Sequence, residues 1–250
     1  MEDKQYTSDF FEVQMPISMR SAKIILPKVF EVLKPQSILD IGCGTGVWLK
    51  IAQELGVYEI IGIDGDYVNR NSLAISESNF LAKDLKEPFD LNKKFDLVIS
   101  SEVAEHLPLS VAEQFVSNLT KHSDFILFSA AAPGQGGTYH INEQPQQFWV
   151  DQFFEKGYLP IDFLRKDIWT VPGVDWWYKQ NMFLFVKENR LLQDTSLVNL
   201  YNLYKKSNYN MYHPEMIYHQ KGINTAFQRF MEAPIYSVQK LLKYYLGKNG

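Results

Sequence analysis

The sequence predicts an α/β fold, a three-layer sandwich with helices on both faces of a mostly parallel sheet. Three observations carry this. Continuous apolar runs recur at 37–41, 59–64, 79–82, 95–100 and 124–129, and such runs suit strands buried on both faces. Segments of helical period separate them, which is the pattern of right-handed strand–helix–strand crossovers. The first run ends in a glycine-rich turn, Gly42-Cys43-Gly44-Thr45-Gly46, and a helix starts directly behind it.

In chain order, residues 1–17 lack a clear period and read as an N-terminal cover. Ser18 suits the cap of a helix that runs to Leu33, with Pro27 as a kink or split and Lys34-Pro35 as its end. Ser37–Ile41 is the first strand. The turn after it lets a ligand approach bare backbone, and the following helix offers free N–H groups and the positive end of its dipole. Such a corner takes a nucleotide-like ligand at the carboxyl edge of a sheet. No Lys-Ser/Thr pair closes the turn, so it is not a phosphate-gripping loop. The spacing Gly42-x-Gly44-x-Gly46 departs from the dinucleotide fingerprint, and Asp40 would repel a pyrophosphate. S-adenosylmethionine carries no phosphate and is cationic, which suits that carboxylate.

The stretch Leu39-Asp40-Ile41-Gly42-Cys43-Gly44-Thr45-Gly46 resembles the first motif of the class I S-adenosylmethionine-dependent methyltransferases. The resemblance covers about residues 20–187 and implies a Rossmann-like sheet of seven strands whose last strand is antiparallel. Asp40, Gly42, Gly44 and Gly46 then line the cofactor. The helix before the first strand covers it, with Tyr6 and Arg20 as neighbours or as ordinary surface residues. The second strand, 59–64, ends in Asp64, at about the interval of 20 residues where a carboxylate grips a ribose diol. Gly65 passes beside the adenosine, and Asp66 either does so or caps the next helix. After the third strand, Asp84 matches the acid that bonds the adenine amino group and Leu85 the residue that packs on the ring; Asp84 also reads as a turn acid.

Behind the fourth strand, Ser101-Glu102-Val103-Ala104-Glu105-His106 is similar to the turn at the methyl-transfer cleft of small-molecule methyltransferases. Ser101 and Glu102 are expected among the cofactor contacts, and Glu102 and Glu105 share a face if the turn is helical. A helix fits 110–121. The fifth strand leads into the loop Ala130–Pro145, with three glycines, two prolines and a dense polar set. A helix follows Pro145, then strands at 157–163 and 181–186 around a loop from Trp169 to Lys179. Residues 1–187 are expected to form the methyltransferase domain and 188–250 a helical extension. In it, 191–204 suits one helix. The amphipathic stretch 235–246 suits docking on the domain, ahead of homodimer pairing or a membrane surface.

The net charge of −4 offers no basic stripe for nucleic acid. Cys43 is the single cysteine, so no disulfide or multi-cysteine site is expected, and its place in the turn reads as packing. No stretch reaches the ~18 apolar residues of a membrane span. The polar N-terminus does not read as a secretory signal, and the expected compartment is cytoplasmic.

Transfer to a hydroxyl needs a base, and histidine suits it. His122 sits at a helix end and His213 and His219 in the tail, leaving His140 and His106 of the five histidines. His140 is favoured as base, with Asn142 or Glu143 orienting its ring; His106 is more structural. A divalent ion on His140, Glu143 and an acid matches no metal motif, so no metal is expected. Loop 133–144 with Trp176–Asn181 is similar to methyltransferases of bacterial surface-polysaccharide biosynthesis, which implies a sugar or nucleotide-linked acceptor. Alternatives are a phosphoramidate-type or quinone-like acceptor, or a non-catalytic nucleoside-binding module.

Overall fold

The computed structural model describes residues 8–216, with side chains from Gln14 onward. Helix α1 (Ser8–Leu33) leads into β1 (Ser37–Ile41), α2 (Val47–Glu54), β2 (Glu59–Asp64), β3 (Phe80–Ala82) and β4 (Leu97–Ser101). Then follow α3 (Ala112–His122), β5 (Phe125–Ser129), α4 (Gln146–Glu155), β6 (Tyr158–Ile161), α5 (Phe163–Ile168), α6 (Trp176–Asn181), β7 (Phe183–Lys187), α7 (Glu188–Leu192) and α8 (Thr195–Tyr204). The seven strands form one sheet in the order β3-β2-β1-β4-β5-β7-β6. The first five pair in parallel, and β7 runs antiparallel between β5 and β6. Chain order reverses between β1 and β4, which opens a crevice at their carboxyl ends. The Rossmann-like sandwich is therefore the observed fold.

Two apolar cores lie on opposite faces of the sheet. One packs α1, α2 and α5 through Ala22, Ile25, Leu26, Trp48, Leu49 and Leu164; the other packs α3 and α4 through Phe115, Val116, Leu119, Trp149 and Phe153. Strands β1 and β4 are buried almost throughout, as their unbroken apolar runs require.

Several local expectations are corrected. Helix α1 begins at Ser8 and continues unbroken through both Pro16 and Pro27. Ala22, Ile25, Leu26 and Val29 make one fully buried stripe, and that burial outweighs the hydrogen bond lost at Pro27. Ser18 is no cap; it sits inside the helix with its hydroxyl 3.2 Å from that of Tyr178. The loop from 169 to 179 gives way at Trp176 to helix α6. Residues 188–204 form two helices, because the Asp194 carboxylate caps the Ser196 and Leu197 N–H groups and starts α8 afresh. The compact unit holding the sheet runs past 187 to Met211. Tyr6, His219 and the stretch 235–246 lie outside the described residues. Among those described, no helix is long and apolar enough to cross a membrane.

His122 ends α3 fully buried. Its Nε2 accepts from the Leu91 N–H at 3.0 Å, so Nδ1 carries the proton and donates to the Asn118 carbonyl at 2.6 Å. Burial holds its pKa below the usual 6.5, with Lys121 and Lys94 acting in the same direction and the Asn118 bond and Asp90 opposing. The unfolded chain thus binds the extra proton first, and this contribution to stability is present above the ordinary histidine pKa and lost as pH falls through the lowered one. Denaturant titrations from about pH 7 to about pH 5 should show stability declining more steeply in the native protein than in His122→Gln.

Candidate active site

The carboxyl edge of the sheet is closed by main-chain hydrogen bonds. The Gly42 and Cys43 N–H groups both donate to the Ile63 carbonyl, at 2.8 and 3.1 Å, which folds the glycine turn over the end of β2. Gly42 has φ +86°, and a Cβ there would lie 2.3 Å from the Val103 side chain, so only glycine fits. Gly44 and Gly46 also have positive φ, and Gly46 stands at the start of α2 without a side-chain cap.

Asp64 ends β2 with its carboxylate turned into this corner. It accepts from the Gly44 N–H at 2.6 Å, the Gly65 N–H at 2.7 Å and the Tyr67 hydroxyl at 2.5 Å. Burial raises its pKa, and those three bonds oppose the rise. Asp40, buried below it, is raised well above the usual range by burial and then by the charge of Asp64. A carboxylate beside partly exposed turn backbone fits a cationic nucleoside. Further along, Asp84 makes a turn by accepting from the Lys86 N–H at 2.9 Å and stays half-exposed, while Leu85 is buried. Arg20 is held by Asp175 and the Gly173 carbonyl. Cys43 is buried in the turn.

The second half of the site hangs from β4 and β5. Ser101 faces Ser129 across the paired strands, with hydroxyl oxygens 3.2 Å apart. Glu102 adopts φ +55°, a left-handed conformation that costs a side chain roughly 1–3 kcal/mol. Its N–H donates to the Ser129 carbonyl at 2.9 Å, and the carboxylate turns toward α6. Gln146 donates to Asn181, and Asn181 donates to both Gln135 and Glu102; Gln135 donates to Glu102 at 2.8 Å. This amide chain is a feature the sequence reading did not single out. Arg165, paired with Asp162 in the core, donates to the Gln180 carbonyl and so steadies the end of α6. Tyr178 and Trp176 are buried rather than facing an open loop, and Tyr178 meets Trp48 edge to face at 5.5 Å.

His140 reaches this region because its loop is fastened to the turn after β4. The Ile141 and Asn142 N–H groups donate to the Glu105 carbonyl at 2.9 and 3.0 Å. His140 Nδ1 lies 3.0 Å from Glu143, and the Glu143 carboxylate also accepts from the Gly134 and Gly136 N–H groups. The Nε2 atom points the other way, 4.0 Å from Glu105, and the ring meets that of His106 edge to face at 4.9 Å. Burial and the nearby His140 hold the His106 pKa down to about 4, so it is neutral and a weak base near neutral pH. Glu105 is fully buried, and burial followed by the charge of Glu102 pushes its carboxyl well above the usual range. Of the residues expected from sequence, His140, His106, Glu143 and Glu102 thus converge after β4 and β5, while Asp40, Asp64 and the glycines gather after β1 and β2. Asp84 sits apart from both groups in its hydrogen bonding.

Residues 20–213 match the model of the family described as "Methyltransferase domain". The chain belongs to this family. Among curated proteins it is similar to ribosomal protein L11 methyltransferase of Fusobacterium nucleatum, 28% identical over 103 residues, which are 38% of this chain and 32% of that protein. The chain therefore spans about a third of the curated relative it matches. Solved structures of the same fold include the sugar N-methyltransferase KedS8 from Streptoalloteichus sp. ATCC 53650, with TM-score 0.56, 14% identity, and coverage of 73% of this chain and 93% of that one. Another is the plantazolicin methyltransferase BpumL in complex with SAH, with TM-score 0.51, 18% identity, and coverage of 72% and 88%.

Gly137 tests how tightly the loop is built. It has φ +152°, and a Cβ there would lie 2.4 Å from His140 Nε2. Gly137→Ala should push the ring out of place and destabilise the protein by about 1–3 kcal/mol, read as a lower melting temperature, with S-adenosylhomocysteine binding retained.

Proposed function

We propose that this chain is an S-adenosylmethionine-dependent methyltransferase acting on a hydroxyl of a sugar or related polar precursor of a surface glycan, and that the acceptor enters beside the amide chain and the His140 segment of the 133–145 loop. When bound, S-adenosylmethionine supplies the methyl carbon and the sulfur leaving group. The chain's own part is to hold the acceptor oxygen in line and to remove its proton. The observation that carries this reading is the His140–Glu143 pair. Glu143 fixes the tautomer from Nδ1 and leaves Nε2 as the proton acceptor on the inward side. Gln135 and Asn181 offer amide groups of the kind that recognise hydroxyls. The name of the sugar N-methyltransferase KedS8 agrees with a sugar acceptor on this fold.

In this reading Asp40, Gly42, Gly44, Gly46, Asp64, Gly65, Asp84, Leu85, Ser101 and Glu102 serve the cofactor, with Asp64 on the ribose. The Tyr67 hydroxyl now on Asp64 then yields to the ribose diol.

Calorimetric titration with S-adenosylhomocysteine should give one site, and Asp64→Ala should weaken it about tenfold or more through lost charged hydrogen bonds. Methyl transfer from labelled S-adenosylmethionine should be found in a panel of nucleotide sugars, and His140→Ala should lower the rate about 10²–10⁴-fold while leaving S-adenosylhomocysteine affinity unchanged. Cofactor binding without turnover on any sugar would overturn the acceptor, and full activity in His140→Ala would overturn the role of His140.

A further inference from the structure

We propose that Glu105, His106 and His140 form a binding site for one divalent transition-metal ion at the acceptor end of the cleft. One ligand atom from each of the three lies within 4.8 Å of the others. Glu105 is the independent pointer to an ion. It is fully buried, neither carboxylate oxygen meets a donor in good hydrogen-bond geometry, the Glu105 and Ala131 main chain and the Glu102 carboxyl being its looser polar neighbours, and Oε1 lies 4.0 Å from His140 Nε2. Burying a carboxyl so weakly satisfied is costly, and an ion between it and the imidazoles supplies a stronger interaction.

The distances are close to what coordination needs. Ligand atoms about 2.0–2.2 Å from an ion stand roughly 3–3.5 Å from one another, so the Glu105–His140 gap of 4.0 Å has to close by up to about 1 Å, and pairs as far apart as 4.8 Å by up to about 1.8 Å. The surroundings prepare the right atoms. Glu143 holds Nδ1 of His140, leaving Nε2 for the ion, which is the carboxylate–histidine–metal arrangement. Gly137 lies over that atom without a Cβ to cover it. The Tyr139 backbone hydrogen-bonds His106. Glu102 is engaged by Gln135 and Asn181 and stands beside the set rather than in it.

Two imidazoles and one carboxylate favour Mn²⁺, Fe²⁺, Co²⁺ or Zn²⁺ over Mg²⁺ and Ca²⁺, which prefer all-oxygen shells. Three protein ligands leave positions for an acceptor oxygen. The site's existence stands apart from the methyl-transfer reading; its use rests on it. In that use the ion holds the acceptor oxygen and makes its proton easier to lose to solvent; His140 is the base of the ion-free protein, and its Nε2 becomes a ligand when the ion is bound.

The full chain, stripped with chelator and desalted, is titrated with Co²⁺ and followed by visible d–d absorption, with S-adenosylhomocysteine titrated in parallel. One Co²⁺ per chain is expected, displaced by Zn²⁺ and not by excess Mg²⁺. The near-isosteric Glu105→Gln, and His140→Ala, should each weaken Co²⁺ about tenfold or more, and Glu143→Gln about 10–100-fold through the lost support to His140. Unchanged S-adenosylhomocysteine affinity shows that each variant is folded. No stoichiometric Co²⁺ band, or a band unchanged in both Glu105→Gln and His140→Ala, overturns the ion site. Loss of S-adenosylhomocysteine binding by the native protein would instead overturn the methyl-transfer reading, with the ion site judged on Co²⁺ alone.

Discussion

A parallel sheet leaves main-chain donors and acceptors unpaired where its strands end, and buried groups of that kind must find partners. This protein meets that constraint locally, strand by strand. Gly42 and Cys43 return to the Ile63 carbonyl, Lys83 to Asp64, and Glu102 to Ser129. These bonds carry the ladders one residue past the strands, and after β1 and β4 the chain then bends sharply at the sheet edge. The positive φ angles at Gly42, Gly44 and Glu102 are the conformations such bends require. The crevice and the orientation of the acids around it follow from this closure.

The acids share an electrostatic condition. Asp40 and Glu105 are each raised well above the ordinary carboxylate range by burial first and a neighbouring acid second. Of the buried cations among the described residues, Arg165 is paired with Asp162 in the core and Lys179 lies in α6. Asp40 and Glu105 are buried acids that each lie beside a second acid. Such an environment favours positive ligands and gives the region little to offer a phosphate.

What was legible in the sequence was what depends on neighbours in the chain. The glycine turn, the unbroken apolar strands and the acid ending β2 are local patterns, and the fold follows from them. Three classes of feature were not legible. Helix α1 runs through Pro16 and Pro27 because a stripe of core contacts outweighs a local penalty. Helix α6 hides in an aromatic run that has no clear period, and its Tyr178 meets Trp48 and Ser18, far away in sequence. The amide chain joins Glu102, Gln135, Gln146 and Asn181 from four elements, and no spacing rule links them. The Asp194 cap, which breaks 188–204 in two, was likewise not read from the sequence, where 191–204 was expected as one helix. For the candidate site, the individual residues were readable but their meeting was not. His140 and Glu105 come together only through the fold.

The loop carrying His140 is attached by peptide groups. Ile141 and Asn142 dock on Glu105 through their N–H groups, and the Ile141 side chain is 64% exposed. A bond made by the backbone does not depend on which side chain the position bears. Positions such as Tyr139 and Ile141, both exposed, can therefore change over evolutionary time without loosening the anchor. The anchor of the loop is thus separate from the side chains that the loop exposes.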